Sequence, residues 1–304
     1  MNYLEYAGFL PAEYTKNLVA PTSTWWQWRD TRVHVNRSVA PDAPVRVMII
    51  HGAGGHSQAL WPLAAPDASD DLELIAPDLP MYGDTVTPDP AGVRYDDFVD
   101  LLCDLVRAER AADPRPILLF GLSMGGMLAY EVSARTRDVA AVLVTNLIDL
   151  SDTAMRATAI RYSWMGVTAP YVLPVVAPVL GRLRLPARWF EDMDNMSNDP
   201  QLSRLCATDP RGGGIHMPLG FLSSIIRYVH TPPQAYRGAP VTLAAPTADL
   251  WTPAELNIRF LQKIAGPTDL VMLENCGHFP VEEPGFRKLR ATLINVVRSV
   301  APAQ

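Results

Sequence analysis

The chain has 304 residues, 48% hydrophobic and 19% charged, enough for a full globular core with an inserted subdomain. Its net charge of -6 excludes a basic stripe able to neutralise a phosphate backbone, so no nucleic-acid partner is expected. Cys103, Cys206 and Cys276 are odd in number and far apart, which excludes a disulfide framework or a CxxC metal pattern.

The first residues carry neither the basic nor the apolar stretch of a secretory leader, and with the cysteine usage this sets the expected location as cytoplasmic. Residues 1 to about 22 show no period and read as a surface lead-in. Thr24 to Trp28 and Arg32 to Arg37 are β-rich runs about Arg29-Asp30, a hairpin at a sheet edge in which His34 is a strand side chain. Pro44 to Ile50 is a continuous apolar strand that opens into His51-Gly52-Ala53-Gly54-Gly55-His56. That loop has the spacing of neither GxGxxG nor a P-loop, so it reads as backbone that must approach something closely. Neither His51 nor His56 is expected to act as a base. A helix from His56 to Leu63, a strand from Leu72 to Ala76 and an amphipathic helix from Tyr95 to Ala111 follow. Cys103, away from the centre of that last stripe, is expected to pack rather than react.

Ile117 to Gly126 reads Ile-Leu-Leu-Phe-Gly-Leu-Ser-Met-Gly-Gly, and Met127 to Val132 continues as a helix. A buried strand ending in Gly-x-Ser-x-Gly before a helix is the pattern of a nucleophile elbow. It predicts a strained Ser123, glycines where a Cβ would collide, and a helix N-terminus whose free Met124 N–H faces the reaction centre. Ala140 to Asn146 is a further strand. Strand and helix have alternated to this point, which predicts a mostly parallel central sheet flanked by helices, an α/β architecture.

The alternation stops near Leu147 and resumes near Ala239. The intervening stretch, 147–238, is rich in Pro, Met, Trp and Arg, including Trp164, Tyr171, Trp189, Phe190, Met193 and Met196. It is too long for a loop, so an inserted, mainly helical cap is expected between core segments 1–146 and 239–304. Gly212 to Gly214 reads as its hinge. Val167 to Leu183 is interrupted by Pro170, Pro174 and Pro178 and bounded by arginines, so it is expected to line or cover a pocket without stable membrane insertion. His216 and His230 are not expected to be catalytic. Beyond it, Pro240 to Ala245 runs into Asp249, a helix spans Pro253 to Ala265, Asp269 to Leu273 leads into Gly277-His278, and a last helix spans Pro284 to Val300.

A serine needs a base, and the base needs an acid to fix its tautomer. Ser123, Asp249 and His278 occur in the chain order Ser, Asp, His. With His51-Gly52-x-Gly54-Gly55, Gly121 to Gly126, Asp249-x-x-x-Pro253, Gly277-His278-Phe279-Pro280 and Glu283-Pro284, the chain resembles capped serine hydrolases of the α/β-hydrolase fold superfamily, the esterase and lipase-like group. The resemblance implies an α/β-hydrolase fold and a catalytic Ser123, Asp249 and His278. It also implies an oxyanion hole from the Ala53 and Met124 N–H groups, and neither metal nor organic cofactor. His51, Gly52, Leu122 and Trp251, beside these groups in the chain, are expected to contact substrate. Many relatives carry histidine where this chain has Leu122, which leaves substrate class open, and Asp149 stands where some relatives place the acid. The expected activity is hydrolysis of a carboxylic ester with a hydrophobic acyl group through an acyl-enzyme. Carbon–carbon hydrolysis or acyl transfer on the same residues, and ligand binding without turnover, are the alternatives. A serine at the elbow excludes the aspartate chemistry of dehalogenases and epoxide hydrolases in this fold.

Overall fold

Asn2 opens the first helix: its side chain accepts from the N–H groups of Leu4 and Glu5 while Glu5 bonds back to the Asn2 N–H, a reciprocal cap on α1 (Tyr3–Ala7). The first ten residues are therefore packed rather than a surface lead-in, while the described residues from 11 to 22 lie at the surface. Tyr6, Ala7 and Leu10 are buried, and α1 packs on α2 (Ser57–Ala64). The structure, a computed structural model, describes residues 1–16, 18–65 and 72–302.

The edge hairpin forms as expected, β1 (Thr22–Trp28) antiparallel to β2 (Thr31–Arg37) with Trp28 opposite Thr31. Six more strands complete one sheet: β3 (Val45–Ile50), β4 (Leu72–Pro77), β5 (Ile117–Gly121), β6 (Ala141–Val144), β9 (Val241–Pro246) and β10 (Thr268–Leu273). Their spatial order is β1-β2-β4-β3-β5-β6-β9-β10, parallel from β4 onward. Unbroken apolar runs suit the central strands because both faces are covered. Along β3 and β5 the side chains alternate between two cores: Met48, Ile50, Ile117 and Leu119 enter one, Val47, Ile49, Leu118 and Phe120 the other. The first core includes α3 (Tyr95–Ala112) and α4 (Met124–Thr136), the second α2 and α10 (Gly285–Val300). Cys103, Cys206 and Cys276 are free and buried, and burial pushes their thiols up to about 11, 12 and 12.

Between β6 and β9 the chain leaves the sheet and forms α5 (Thr153–Ala159), α6 (Ser163–Leu180), α7 (Pro200–Thr208) and α8 (Leu219–Arg227). A two-stranded ribbon of β7 (Arg184–Pro186) and β8 (His216–Pro218), absent from the sequence reading, joins them. Its prolines do not interrupt α6. Pro170, Pro174 and Pro178 recur every fourth residue, so their missing N–H groups fall along one side of a continuous helix. With a mean hydropathy of 1.4 over 18 residues, α6 is long and apolar enough to cross a membrane, and only 6% of that window is buried.

Gly212 to Gly214, expected as a hinge, is close-packed in the structure. A Cβ on Gly212 would lie 2.4 Å from the Gly54 carbonyl oxygen, and one on Gly213 2.6 Å from that of Cys206. The run is a close-packed joint holding the segment between β6 and β9 to the loop after β3. Beside it, buried Asp209 accepts from the Tyr6 hydroxyl at 2.8 Å and bonds His56 Nε2 at 2.9 Å, tying α1, the start of α2 and the end of α7 together. Asp209→Ala leaves both partners buried without an acceptor. It is expected to destabilise the protein by about 3 kcal/mol, read as a lower urea midpoint at unchanged m; a shift under 0.5 kcal/mol would refute the role.

Candidate active site

β5 ends at Gly121 and α4 begins at Met124, so the chain reverses within two residues. Ser123 absorbs the reversal with φ 55° and ψ -127°, a conformation L-residues rarely hold. The glycines around it leave no alternative. A Cβ on Gly121 would sit 2.2 Å from the Gly125 carbonyl oxygen, on Gly125 2.1 Å from that of Ile50, and on Gly126 2.0 Å from that of Asn146.

The strain lifts the Ser123 hydroxyl to within 2.8 Å of His278 Nε2. On the other side of the ring, His278 Nδ1 lies 2.8 Å from Asp249 Oδ2. Ser123, His278 and Asp249 thus form one hydrogen-bonded chain from three separate loops. Asp249 is not a helix cap, since α9 (Ala254–Leu261) begins beyond it with Pro253 at its cap position. Its Oδ1 accepts from the Trp251 and Thr252 N–H groups at 2.8 Å each, and its Oδ2 from the Thr252 hydroxyl at 2.8 Å and Asn146 Nδ2 at 3.2 Å. Burial acts to raise the Asp249 pKa, but the nearby His278, its hydrogen bond and the Thr252 donors outweigh it and hold the carboxyl below its ordinary value. Asp149 is not in this chain of bonds; it accepts from the Ser151 N–H in a turn.

The loop after β3 faces Ser123 from the opposite side. A Cβ on Gly52 would lie 2.6 Å from the Ser123 Cβ, so only glycine lets the two loops meet. Among the described residues, the Ala53 N–H has no acceptor, and the Met124 N–H, first of α4, has none within its helix. His51, expected in contact with substrate, lines neither cavity beside Ser123. Its Nδ1 bonds the Gly52 carbonyl at 2.9 Å and its Nε2 accepts from the Leu79 N–H at 3.0 Å, so the ring braces the loop from within. Burial pushes its pKa down to about 4, which keeps it neutral.

Two cavities meet at Ser123. The larger, about 310 Å³, is lined by Ala53, Ser123, Met124, Ile148, Trp164, Leu173, Phe190, Glu191, Phe221 and Trp251, among others. Trp251 also lies against the His278 ring, centroids 4.6 Å apart with the planes tilted by 43°, and donates its indole N–H to the Ala159 carbonyl. Gly52 and Leu122 line a narrow crevice on the other side with Met196 and Phe279.

A second Ser-His-Asp chain at the hairpin shows why geometry needs a cavity. Ser23 Oγ, His34 and Asp78 are linked at 3.0 and 2.7 Å, so His34 is more than a plain strand side chain. Asp78 is occupied by the Ser57 and Asp84 N–H groups, and the serine sits on an edge strand away from both cavities at Ser123. That cluster closes the fold. Asn146, Thr252 and Glu191 are site residues that sequence reasoning missed. The Asp-x-x-Thr spacing marks Thr252 as a turn partner, whereas Glu191, followed by Asp192 and Asp194, does not stand out from its acidic neighbours. Asn146 carries no local signal.

An open sheet with helices on both sides and a strained serine at a strand-to-helix turn defines the α/β-hydrolase fold. Residues 47–287 match the alpha/beta hydrolase family, and the chain belongs to that family. Among solved structures it resembles a soluble variant of monoglyceride lipase from Saccharomyces cerevisiae, with 14% identity, a TM-score of 0.76, 97% of this chain covered and 100% of that one. It also resembles the Paleococcus ferrophilus monoacylglycerol lipase, with 18% identity, a TM-score of 0.67, and 88% and 98% covered. The human protein phosphatase methylesterase 1 is 32% identical over 119 residues, 38% of this chain; the match spans 30% of that relative's length.

Proposed function

We propose that the protein hydrolyses carboxylic esters with a hydrophobic acyl group, through Ser123, Asp249 and His278. The observation that carries this reading is the unbroken bonding from Asp249 through His278 to Ser123, ending at the wall of an apolar cavity. His278 Nε2 takes the Ser123 proton as the oxygen attacks the carbonyl, then delivers it to the leaving alcohol. The Ala53 and Met124 N–H groups receive the oxyanion, and water activated by His278 releases the acid. In this reading residues 147–238 form a cap over the cavity, and the free buried cysteines suit a reducing, cytoplasmic setting.

The test is the initial rate on p-nitrophenyl esters from acetyl to palmitoyl, wild type beside Ser123→Ala. Activity lost in the alanine variant, with acid and phenol released together, supports the reading. Phenol release that outpaces acid release points to acyl transfer. Equal inactivity, with no labelling by a fluorophosphonate, points to binding without turnover.

A lipid surface is the source of substrate in this proposal. α6 supplies Trp164, Val172 and Leu173 to the cavity while Tyr171, Val175 and Val179 stand exposed at 77%, 75% and 85%. An uncharged helix followed by Arg184 and Arg188, with Trp189 also exposed, suits lying in the plane of an anionic bilayer. The two lipases of similar fold are named for monoglycerides. Replacing both Val175 and Val179 by Asp is expected to lower co-sedimentation with phosphatidylglycerol vesicles by about tenfold and to leave hydrolysis of a water-soluble ester unchanged. Unchanged sedimentation, or dimer formation by wild type in its place, refutes the surface role.

A further inference from the structure

Among the described residues, the wall of the larger cavity contains three hydroxyl or carboxyl side chains, and two of them are already engaged. Ser123 bonds His278, and the Thr168 hydroxyl bonds the Trp164 carbonyl of its own helix at 2.8 Å. The third is Glu191. It is 6% exposed, and neither carboxyl oxygen has a hydrogen-bond partner among the described residues. Such an orphan is costly in an apolar surround and calls for an explanation.

Its backbone does not swing free to find one. The Glu191 N–H bonds the Ala187 carbonyl at 3.0 Å, its carbonyl accepts from the Met193 N–H at 3.0 Å, and it forms a bridge with Ile160. The Met193 side chain packs on Gly54, so this segment sits beside the loop that faces Ser123. Glu191 is therefore held in the wall of the cavity that Ser123 and Ala53 also line.

We propose that Glu191 is the polar subsite of this cavity and takes a neutral hydroxyl group of the substrate, so that the protein prefers hydroxyl-bearing esters to plain alkyl esters. The inference rests on the ester-hydrolase reading. A carboxylic acid both donates and accepts, which matches the two needs of a hydroxyl. Burial pushes the Glu191 pKa up to about 8, so the acid is mostly neutral at pH 7 and an alcohol, not an ammonium, complements it. The apolar remainder of the wall covers the rest of the chain. A site built to bond a hydroxyl also disfavours the analogue lacking it, because the acid is then left unpaired.

The test uses matched esters, one methylene at a time replaced by CHOH on the acyl or the alcohol side. Binding is measured by calorimetry to Ser123→Ala, which leaves them uncleaved, alone and combined with Glu191→Gln or Glu191→Leu. At one position or more, the hydroxylated ester should bind at least fivefold tighter than its parent when residue 191 is Glu or Gln, and no tighter when it is Leu. The same ratio should appear in KM rather than kcat for the proteins that retain Ser123. An unchanged ratio in the Leu variant, or tighter binding of an amino-substituted ester than of the hydroxylated one, overturns the proposal. Preserved binding ratios without turnover in any Ser123 protein would instead sink the hydrolase reading and leave the subsite standing.

Discussion

Asp249→Asn is expected to lower kcat on a p-nitrophenyl ester by about 10⁴-fold, close to 5.5 kcal/mol of barrier, with little change in far-UV circular dichroism. The reason lies in where the donors point. Asp249 Oδ1 receives two backbone N–H groups, and Oδ2 receives Asn146, Thr252 and His278. An asparagine must place its oxygen where the backbone donors are fixed, which turns its NH₂ toward His278. The ring then presents Nδ1 as an acceptor and carries its proton on Nε2, the atom 2.8 Å from Ser123 Oγ. A protonated Nε2 cannot take the serine proton. Loss under tenfold would mean that Asp249 does not set the tautomer.

Thr252→Val is the informative companion. It deletes one donor to Asp249 Oδ2 and leaves the carboxylate in place. A loss on the order of tenfold in kcat, far smaller than that of Asp249→Asn, is expected from stopped or steady-state rates. Equal losses would show that the threonine, also 3.2 Å from His278 Nδ1, orients the ring itself.

The legible parts were those dictated by local sterics or short spacing. Glycines at 121, 125 and 126 announce a strand and helix in contact, and the collisions their Cβ atoms would suffer are the reason. Ser123, Asp249 and His278 follow strand ends, so their convergence above the sheet follows from parallel topology. What local pattern did not reveal depends on partners distant in sequence. Tyr6 orders the N-terminal helix by meeting Asp209 across 203 residues. Three prolines read as helix breakers, yet at spacings of four they share one side of α6. His51 looks like a site histidine until Leu79 is seen to occupy its Nε2.

Glu191→Gln should stabilise the free protein at neutral and alkaline pH. Burial raises the Glu191 pKa from 4.5 to about 8. As pH climbs past 4.5 the unfolded chain loses this proton while the folded protein keeps it, so folding must take a proton up and stability falls. The loss grows until the folded acid ionises near pH 8 and is constant above. Tyr82, the neighbour that feels this charge, stays protonated throughout because burial holds its pKa well above 10. At about 1.36 kcal/mol per pKa unit, the cost is about 3 kcal/mol at pH 7 and close to 5 kcal/mol above pH 8. Glutamine has no proton to take up, and its shape leaves the cavity unchanged. Urea unfolding of the two proteins from pH 4.5 to 9 should therefore give curves that meet at the acid end and diverge upward. Parallel curves would show that Glu191 ionises as freely folded as unfolded, and the cavity wall would then carry a charge at pH 7 rather than a neutral acid.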